Sequence, residues 1–150
     1  MDIEGEYVID AEPDAVWSAL NDLETLKRCI PGCEIMEEVE PDRFECVVLT
    51  KIGPVKARFK SVVTLTNINP PHSYTLVGEG RGGAAGFGKG SADVALTPNG
   101  QGTQLNYTAK VMTGGKLAQL GSRLLLSTTR KLADQFFEAF RAGFDANTQT

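Results

Sequence analysis

Histidine and cysteine are scarce in this sequence, which carries one histidine and three cysteines in 150 residues. The single histidine, His72, follows two prolines in a predicted turn, so a Ser-His-Asp or Cys-His arrangement would have no second histidine to use. Cys29 and Cys33 lack the second cysteine or histidine pair that completes a tetrahedral zinc site. Carboxylates such as Asp93 alternate outward along predicted strands, and no pair is placed for acid–base catalysis. We therefore predict no catalytic residues, no metal and no cofactor.

Long apolar runs and an excess of positive charge are also missing. No stretch approaches the roughly 18–20 apolar residues that span a bilayer. The first ten residues, MDIEGEYVID, are acidic and alternating, without the basic start and apolar centre of a signal peptide. A net charge of −4 argues against a nucleic-acid-binding protein, which presents a basic face. Without a secretion signal, an odd number of cysteines indicates free thiols and a cytoplasmic location.

The hydrophobic pattern that is present predicts one α+β domain over residues 1–150. A chain of this length with 41% apolar residues buries enough surface to fold without disulfides. Alternation predicts a first strand at 2–10 and six more between residues 33 and 112, in an antiparallel sheet. The clearest strand, 55–66, has one apolar face and one basic face. The basic row is either a solvated face or a docking patch for an acidic partner, and consists of Lys56, Arg58 and Lys60.

Three helices complete the predicted order of elements. Pro13 fits the first turn of a helix after the first strand, and Asn21 opens a capping box for a second short helix. A long third helix is predicted at 116–142 from its stripe of leucines and phenylalanines, and Gly143 marks its end. At 1.5 Å per residue this helix is about 40 Å long, and it closes an apolar pocket against the curved sheet. A polar tail is predicted from about residue 145.

A break in the apolar stripe of the long helix marks the predicted pocket. Three hydroxyl residues at 127–129 interrupt the leucines, and burying a hydroxyl without a partner costs roughly 1–3 kcal/mol. Thr128 therefore either faces a cavity, where it bonds a ligand or water, or bonds back to the carbonyl four residues earlier. Pockets of this kind are mostly apolar, and each lining residue also fits a plain core position. The predicted ligand-binding residues are Val48, Phe59, Leu76, Phe87, Tyr107, Leu124, Thr128 and Leu132.

A glycine-rich segment resembles two nucleotide-binding motifs but fits neither. Residues 78–83 match G-x-G-x-x-G, and residues 83–90 are close to a P-loop. Both motifs need a helix directly after the glycines to receive the phosphates, whereas a strand is predicted here. Glycines in adjoining strands permit bulges, bends and close backbone approach. We therefore predict a bent hairpin at the mouth of the pocket, with Phe87 as a lid or contact residue.

Several short elements together resemble the CoxG family, named after the G subunit of carbon monoxide dehydrogenase. The more specific ones are Pro31-Gly32-Cys33 and the run GGKLAQLG at residues 114–121. The element Val16-Trp17 is shared with the wider START-like, polyketide cyclase-like (SRPBCC) superfamily. The resemblance covers residues 1–142 and implies a helix-grip fold. In that fold a curved antiparallel sheet of about seven strands and a long C-terminal helix enclose an apolar cavity, and two short helices follow strand 1.

The resemblance also implies a function. Such a protein is a non-catalytic accessory protein that binds a hydrophobic ligand, for example a quinone or another lipid. It helps to recruit or couple a molybdenum-containing carbon monoxide dehydrogenase-type enzyme to the membrane, and contacts the inner face of the membrane at most peripherally. Two alternatives stay open. One is a small cyclase-type or hydrolase-type enzyme that uses Tyr107, Thr128 or a carboxylate in the same pocket, and the other is a purely structural assembly factor.

Overall fold

The computed structural model describes residues 1–148, with side chains described up to Phe144. Seven strands form one antiparallel sheet, two short helices follow the first strand, and a long helix follows the last. The elements in chain order are β1 (Asp2–Ile9), α1 (Pro13–Leu20), α2 (Leu23–Cys29), β2 (Cys33–Glu40), β3 (Arg43–Ile52), β4 (Val55–Asn69), β5 (Ser73–Arg81), β6 (Phe87–Asn99), β7 (Gly102–Gly114) and α3 (Ser122–Thr148), with 3-10 turns at Gly83–Ala85 and Ala118–Leu120. The strand order across the sheet is β1-β7-β6-β5-β4-β3-β2. This arrangement confirms the predicted α+β class and helix-grip fold.

Strict alternation of side chains gives the sheet two different faces. In β4, Phe59 and Leu65 are each 7% exposed, whereas Lys60 between them is exposed. The strand pairs carry this alternation across the sheet, because directly paired residues point to the same side. We call the side toward α3 the inner face and the opposite side the outer face. The basic row predicted at 56–60 lies on the outer face.

The cap of α2 differs from the sequence prediction. The cap residue is Asp22, whose carboxylate accepts hydrogen bonds from the backbone N–H of Thr25 at 3.0 Å and from its hydroxyl at 2.7 Å. These two bonds stabilise the charged carboxylate and hold the pKa of Asp22 below its usual value. The prediction that Asn21 caps this helix was wrong. The Asn21 side-chain amide instead donates to the carbonyl of Trp17 at 2.9 Å.

The long helix begins later than predicted. α3 starts at Ser122 rather than at residue 116, because Gly121 takes a positive φ of 89° that stops the helical path. The residues before it form the short 3-10 turn Ala118–Leu120. Leu117 is 3% exposed and packs against Phe59 instead of extending the helix stripe.

The helix also ends later than predicted. Gly143 does not end α3, which continues to Thr148. A Cβ at position 143 would lie 2.7 Å from Nη2 of Arg28, so this glycine provides room for a side chain of α2 against α3. The polar tail predicted from about residue 145 starts inside the helix, and residues 149–150 lie outside the described part of the chain.

Candidate ligand-binding site

Two separate clusters of buried apolar side chains fill the two ends of the inner face. We call the first the large core. It joins α1, α2 and the C-terminal half of α3 to the sheet through residues such as Val16, Leu105 and Phe140. We call the second the small core. It consists of Phe59, Ala85 and Leu117, with partly buried apolar residues around them. A sheet that packed evenly against one helix would give a single continuous core.

The inner face between the two cores carries small side chains. Gly78 pairs with Gly90, and Gly80 pairs with Gly88, so four glycines of β5 and β6 form a two-by-two block. We call this the glycine block. The neighbours in the same cross-strand rows are Ser61 and Val63 on β4 and Val111 and Thr113 on β7. The inner face therefore carries no side chain at four adjacent positions of β5 and β6.

The glycine block is made of positions with different amounts of room. A Cβ at Gly88 would have its nearest neighbour 4.0 Å away, and one at Gly78 would have ordinary contacts at 3.8 Å. A Cβ at Gly90 would lie 2.5 Å from the carbonyl oxygen of Lys110, so close backbone approach requires glycine there. At Gly80 the nearest atom would be the Ser61 hydroxyl oxygen, 2.8 Å away. Gly78 and Gly88 thus have room for a Cβ in ordinary van der Waals contact, whereas Gly80 and Gly90 do not.

The helix above the glycine block bridges the sheet. α3 approaches β1 at one edge of the sheet and β3 near the other, and it also packs on α2. Its buried line runs from Leu125 to Phe137 and Phe140, and at helical spacing this line passes through Thr129 and Ala133. Small side chains therefore occupy the middle of the helix as well as the middle of the sheet.

The hydroxyl on the buried line is Thr129 rather than Thr128. Thr129 Oγ1 donates to the carbonyl oxygen of Leu125 at 2.7 Å. This is the hydrogen bond to the preceding helical turn that the sequence offers as one alternative for Thr128. Both threonines are half-buried. The predicted break in the apolar stripe is present. The hydroxyl residue on the buried side of the helix is one position later than predicted, and the helix itself begins at Ser122.

Seven of the eight predicted site residues lie on the inner face or on α3. Val48, Leu76 and Tyr107 are half-buried beside the large core. Phe59 belongs to the small core, and its ring covers Gly82. The three helix residues are half-buried, namely Leu124, Thr128 and Leu132. These seven residues thus share the inner face or the helix that packs on it, and their contact with a ligand stays a prediction.

Phe87 lies on the other side of the sheet. It pairs with Arg81 and with Gly114, and alternation places this row on the outer face with Lys89 and Met112. Its ring covers Gly114, where a Cβ would come within 2.2 Å of the ring. The structure therefore separates Phe87 from the other seven residues.

A polar group stands where α3 crosses β1 and β7. The Tyr7 hydroxyl donates to Asp134 Oδ1 at 2.5 Å, and the Tyr7 and Tyr107 rings stack with their centroids 6.2 Å apart. Burial, followed by the hydrogen bond to Asp134, raises the pKa of Tyr7, and burial also raises the pKa of Tyr107. The Tyr7 phenol therefore keeps its proton at neutral pH and donates a hydrogen bond to Asp134.

Sequence reasoning missed the glycine block and the Tyr7–Asp134 contact. The glycines alternate at 78, 80, 88 and 90, and this period of two was a usable signal for one face of two strands. The contact between Tyr7 and Asp134 joins residues 127 positions apart, and no local pattern reports it. Within residues 1–148, no group of three or more His, Cys, Asp or Glu side chains is arranged to hold a metal ion. No helix in the same range has the length and apolar character needed to cross a membrane.

Solved structures with the same arrangement define the fold class. The Zhui aromatase/cyclase from Streptomyces sp. R1128 superposes with a TM-score of 0.71 at 14% identity, covering 99% of this chain and 95% of that chain. The structure of Ara h 8.0201 superposes with a TM-score of 0.69 at 17% identity and covers 95% of each chain. At these identities the likeness concerns the fold alone, which is the helix-grip fold.

A family model and a closer structure identify the family. The model for CoxG, the G subunit of carbon monoxide dehydrogenase, matches residues 5–144, so this chain belongs to the CoxG family. A conserved protein from Geobacillus kaustophilus superposes with a TM-score of 0.92 at 31% identity, covering 97% of this chain and 96% of that chain. No curated protein sequence matches the chain.

Proposed function

We propose that this protein is a non-catalytic accessory protein that holds a hydrophobic ligand between α3 and the inner face of the sheet. The observation that carries the proposal is the separation of the large core from the small core by the glycine block. Four glycines leave adjacent positions of β5 and β6 without side chains, and the buried line of α3 carries the small residues Thr129 and Ala133. An apolar ligand in this position would join the two cores and cover the partly buried residues around them.

The surrounding side chains indicate the chemistry of the ligand. Val48, Leu76 and Leu132 offer apolar contacts, and the hydroxyls of Thr128 and Tyr107 offer a few hydrogen bonds. Pockets that bind small molecules combine a mostly apolar wall with a few polar groups that fix orientation. A quinone or another lipid with one or two oxygen atoms has the matching character, and we propose this class as the ligand.

The family relationship supports the second part of the proposal. Membership in the CoxG family suggests that the protein works beside a molybdenum-containing carbon monoxide dehydrogenase-type enzyme. We propose that it helps to recruit or couple this enzyme to the membrane, and that it acts in the cytoplasm with peripheral membrane contact at most. The ligand would be handed over between membrane and enzyme, and the protein itself would catalyse no redox step.

The pocket is tested by filling it. Ala92 lies on the inner face of β6 next to the glycine block, and Ala95 lies on the outer face of the same strand. We expect organic extracts of the purified protein to contain bound lipid by mass spectrometry. The Ala95→Phe variant should retain that lipid, and the Ala92→Phe variant should lose most of it because the new ring occupies the space.

Two outcomes would contradict the pocket. One is the absence of extractable lipid and of quinone uptake by the unmodified protein. The other is equal lipid content in the Ala92→Phe and Ala95→Phe variants, once thermal unfolding has shown that both are folded. The docking part of the proposal is tested separately by co-purification of the dehydrogenase. If the enzyme co-purifies equally with both variants and no ligand is found, the protein is an assembly factor.

A further inference from the structure

The outer face of the sheet carries a groove with a strong positive charge. The groove has a volume of about 610 Å³ and runs across β3 to β7. Five of the side chains that line it are cationic, namely Arg43, Lys60, Arg81, Lys89 and Lys110. The single acidic side chain is Glu79, which is held by Arg81 at 2.8 Å. This concentration of positive charge occurs in a protein whose net charge is −4.

The strand register places one pair of like charges inside the groove. Lys60 stands directly opposite Arg81 on the neighbouring strand. The other three cations stand opposite carboxylates, Arg43 opposite Glu40, Lys89 opposite Glu79 and Lys110 opposite Asp2. Like charges at directly opposed positions destabilise a sheet, whereas opposite charges stabilise it. The pairing of Lys60 with Arg81 therefore has a cost in stability, which points to a role for these two cations outside folding.

Apolar side chains lie among the cations. Val77 is 45% exposed and Met112 is 54% exposed, and both line the groove with Val62. Val77 on β5 and Met112 on β7 stand on either side of β6 and two residues apart in register, roughly 12 Å from each other at the usual strand spacing and rise. An exposed apolar patch with a polar rim is typical of a surface that binds another protein.

We propose that this groove is a docking site for an acidic segment of a partner protein. The carboxylates of the segment would meet the five cations, and an apolar side chain would enter between Val77 and Met112. The groove spans four strand spacings, or about 19 Å, which matches a short peptide segment. Charge complementarity of this kind steers association and fixes register.

The acidic residues around the groove favour a segment over a flat anionic surface. At one edge of the sheet β1 presents Asp2, Glu4 and Glu6, which are exposed. At the other edge β2 presents Glu37. An anionic lipid surface laid on the outer face would meet these carboxylates together with the cations and be repelled by them. A segment that fits within the groove avoids both edges.

This site is independent of the proposed ligand pocket, because the groove lies on the opposite face of the sheet. A partner bound there would leave α3 and the inner face uncovered. Failure of the pocket experiment would not affect the groove, and the reverse also holds.

The test uses two triple variants that remove equal charge. The first carries Lys60→Gln, Lys89→Gln and Lys110→Gln within the groove. The control carries Lys51→Gln, Lys56→Gln and Lys131→Gln, three exposed lysines outside it. The probe is a fluorescein-labelled peptide in which glutamates surround a single leucine, and binding to the full chain is followed by fluorescence anisotropy at low ionic strength.

We expect saturable binding that is about tenfold weaker in the groove variant and nearly unchanged in the control variant. A glutamine version of the peptide should not bind. Equal weakening in the two triple variants, or no binding of the acidic peptide, would overturn the proposal. Co-sedimentation with phosphatidylglycerol vesicles that depends on the groove lysines would also overturn it, because the surface would then recognise anionic lipid.

Discussion

The large core and the glycine block share one face of one sheet and differ in what their side chains do. In the large core, Leu105 is fully buried and Phe140 is 1% exposed, and the aromatic rings of α3 stack on those of the sheet. At the glycine block four adjacent strand positions carry no side chain, and the buried line of α3 carries the small residues Thr129 and Ala133. The first region stabilises the fold through packed side chains, and the second offers fewer packing contacts. This difference is the basis of the proposed pocket.

The largest expected effect is a difference in the free energy of unfolding between a substitution in the large core and one in the middle of α3. Replacing Phe140 by alanine should lower the free energy of unfolding by about 3–5 kcal/mol, because the side chain leaves a cavity in the large core. Leu132→Ala on the same helix should cost below about 2 kcal/mol, because Leu132 is only half-buried. Urea denaturation of both variants measures the difference. Equal losses would show that the middle of α3 is packed like the large core.

A smaller effect distinguishes glycines within the block. Gly90→Ala should destabilise the fold by about 1–3 kcal/mol, because its Cβ would press on the carbonyl of Lys110. Gly88→Ala should stabilise the unliganded fold by up to about 0.5–1 kcal/mol, because alanine suits a strand better than glycine and its Cβ would meet only an ordinary contact at 4.0 Å. Thermal unfolding of the two variants tests this pair. If Gly88→Ala is as destabilising as Gly90→Ala, the space beside Gly88 does not exist.

The smallest expected effect is a loss of folding stability at alkaline pH, which is caused by Tyr74 in the large core. Burial raises the pKa of Tyr74 to about 12 from the usual 10.0. Between these values the unfolded chain loses the proton and the folded chain keeps it, so stability is complete below about pH 10 and falls as the pH rises. The loss from Tyr74 should be about 1 kcal/mol between about pH 9 and about pH 11.

Tyr74→Phe provides the control for this pH dependence. The variant should show a shallower fall in the urea midpoint over the same range, and the remaining slope should come from Tyr7, Tyr107, Cys33 and Cys46, whose pKa values are also raised. An unchanged slope would mean that Tyr74 titrates alike in the folded and unfolded chains.

Much of the fold was predictable from the period of the hydrophobic pattern and from the residues that favour turns. The alternation at 55–66 became β4 with its buried Phe59 and exposed Lys60, because the two faces meet such different surroundings. The helix start was mispredicted because the leucines at 117 and 120 continue the helical spacing, while Gly121 interrupts the backbone at positive φ. The local sequence does not indicate whether the leucine spacing or Gly121 determines where the helix begins.

The candidate site was less predictable than the fold. Thr128 was chosen from a stripe that began one turn too early, and the buried line passes through Thr129 instead. Phe87 was placed by its proximity to the glycines, but its pairing with Gly114 sets it on the outer face. The pairing of Gly78 with Gly90 depends on the register between β5 and β6, and only the assembled sheet brings the four glycines together.

The most direct test of a pocket between the two cores is to map ligand contact by NMR. Isotope-labelled protein would be titrated with a short-chain quinone while the backbone amide signals are followed. We predict saturable shifts at the amides of Gly78, Gly80, Gly88 and Gly90 and along the middle of α3, with the outer-face lysines unaffected. Saturable shifts confined to the outer face, or no shifts at the glycine block, would contradict the pocket.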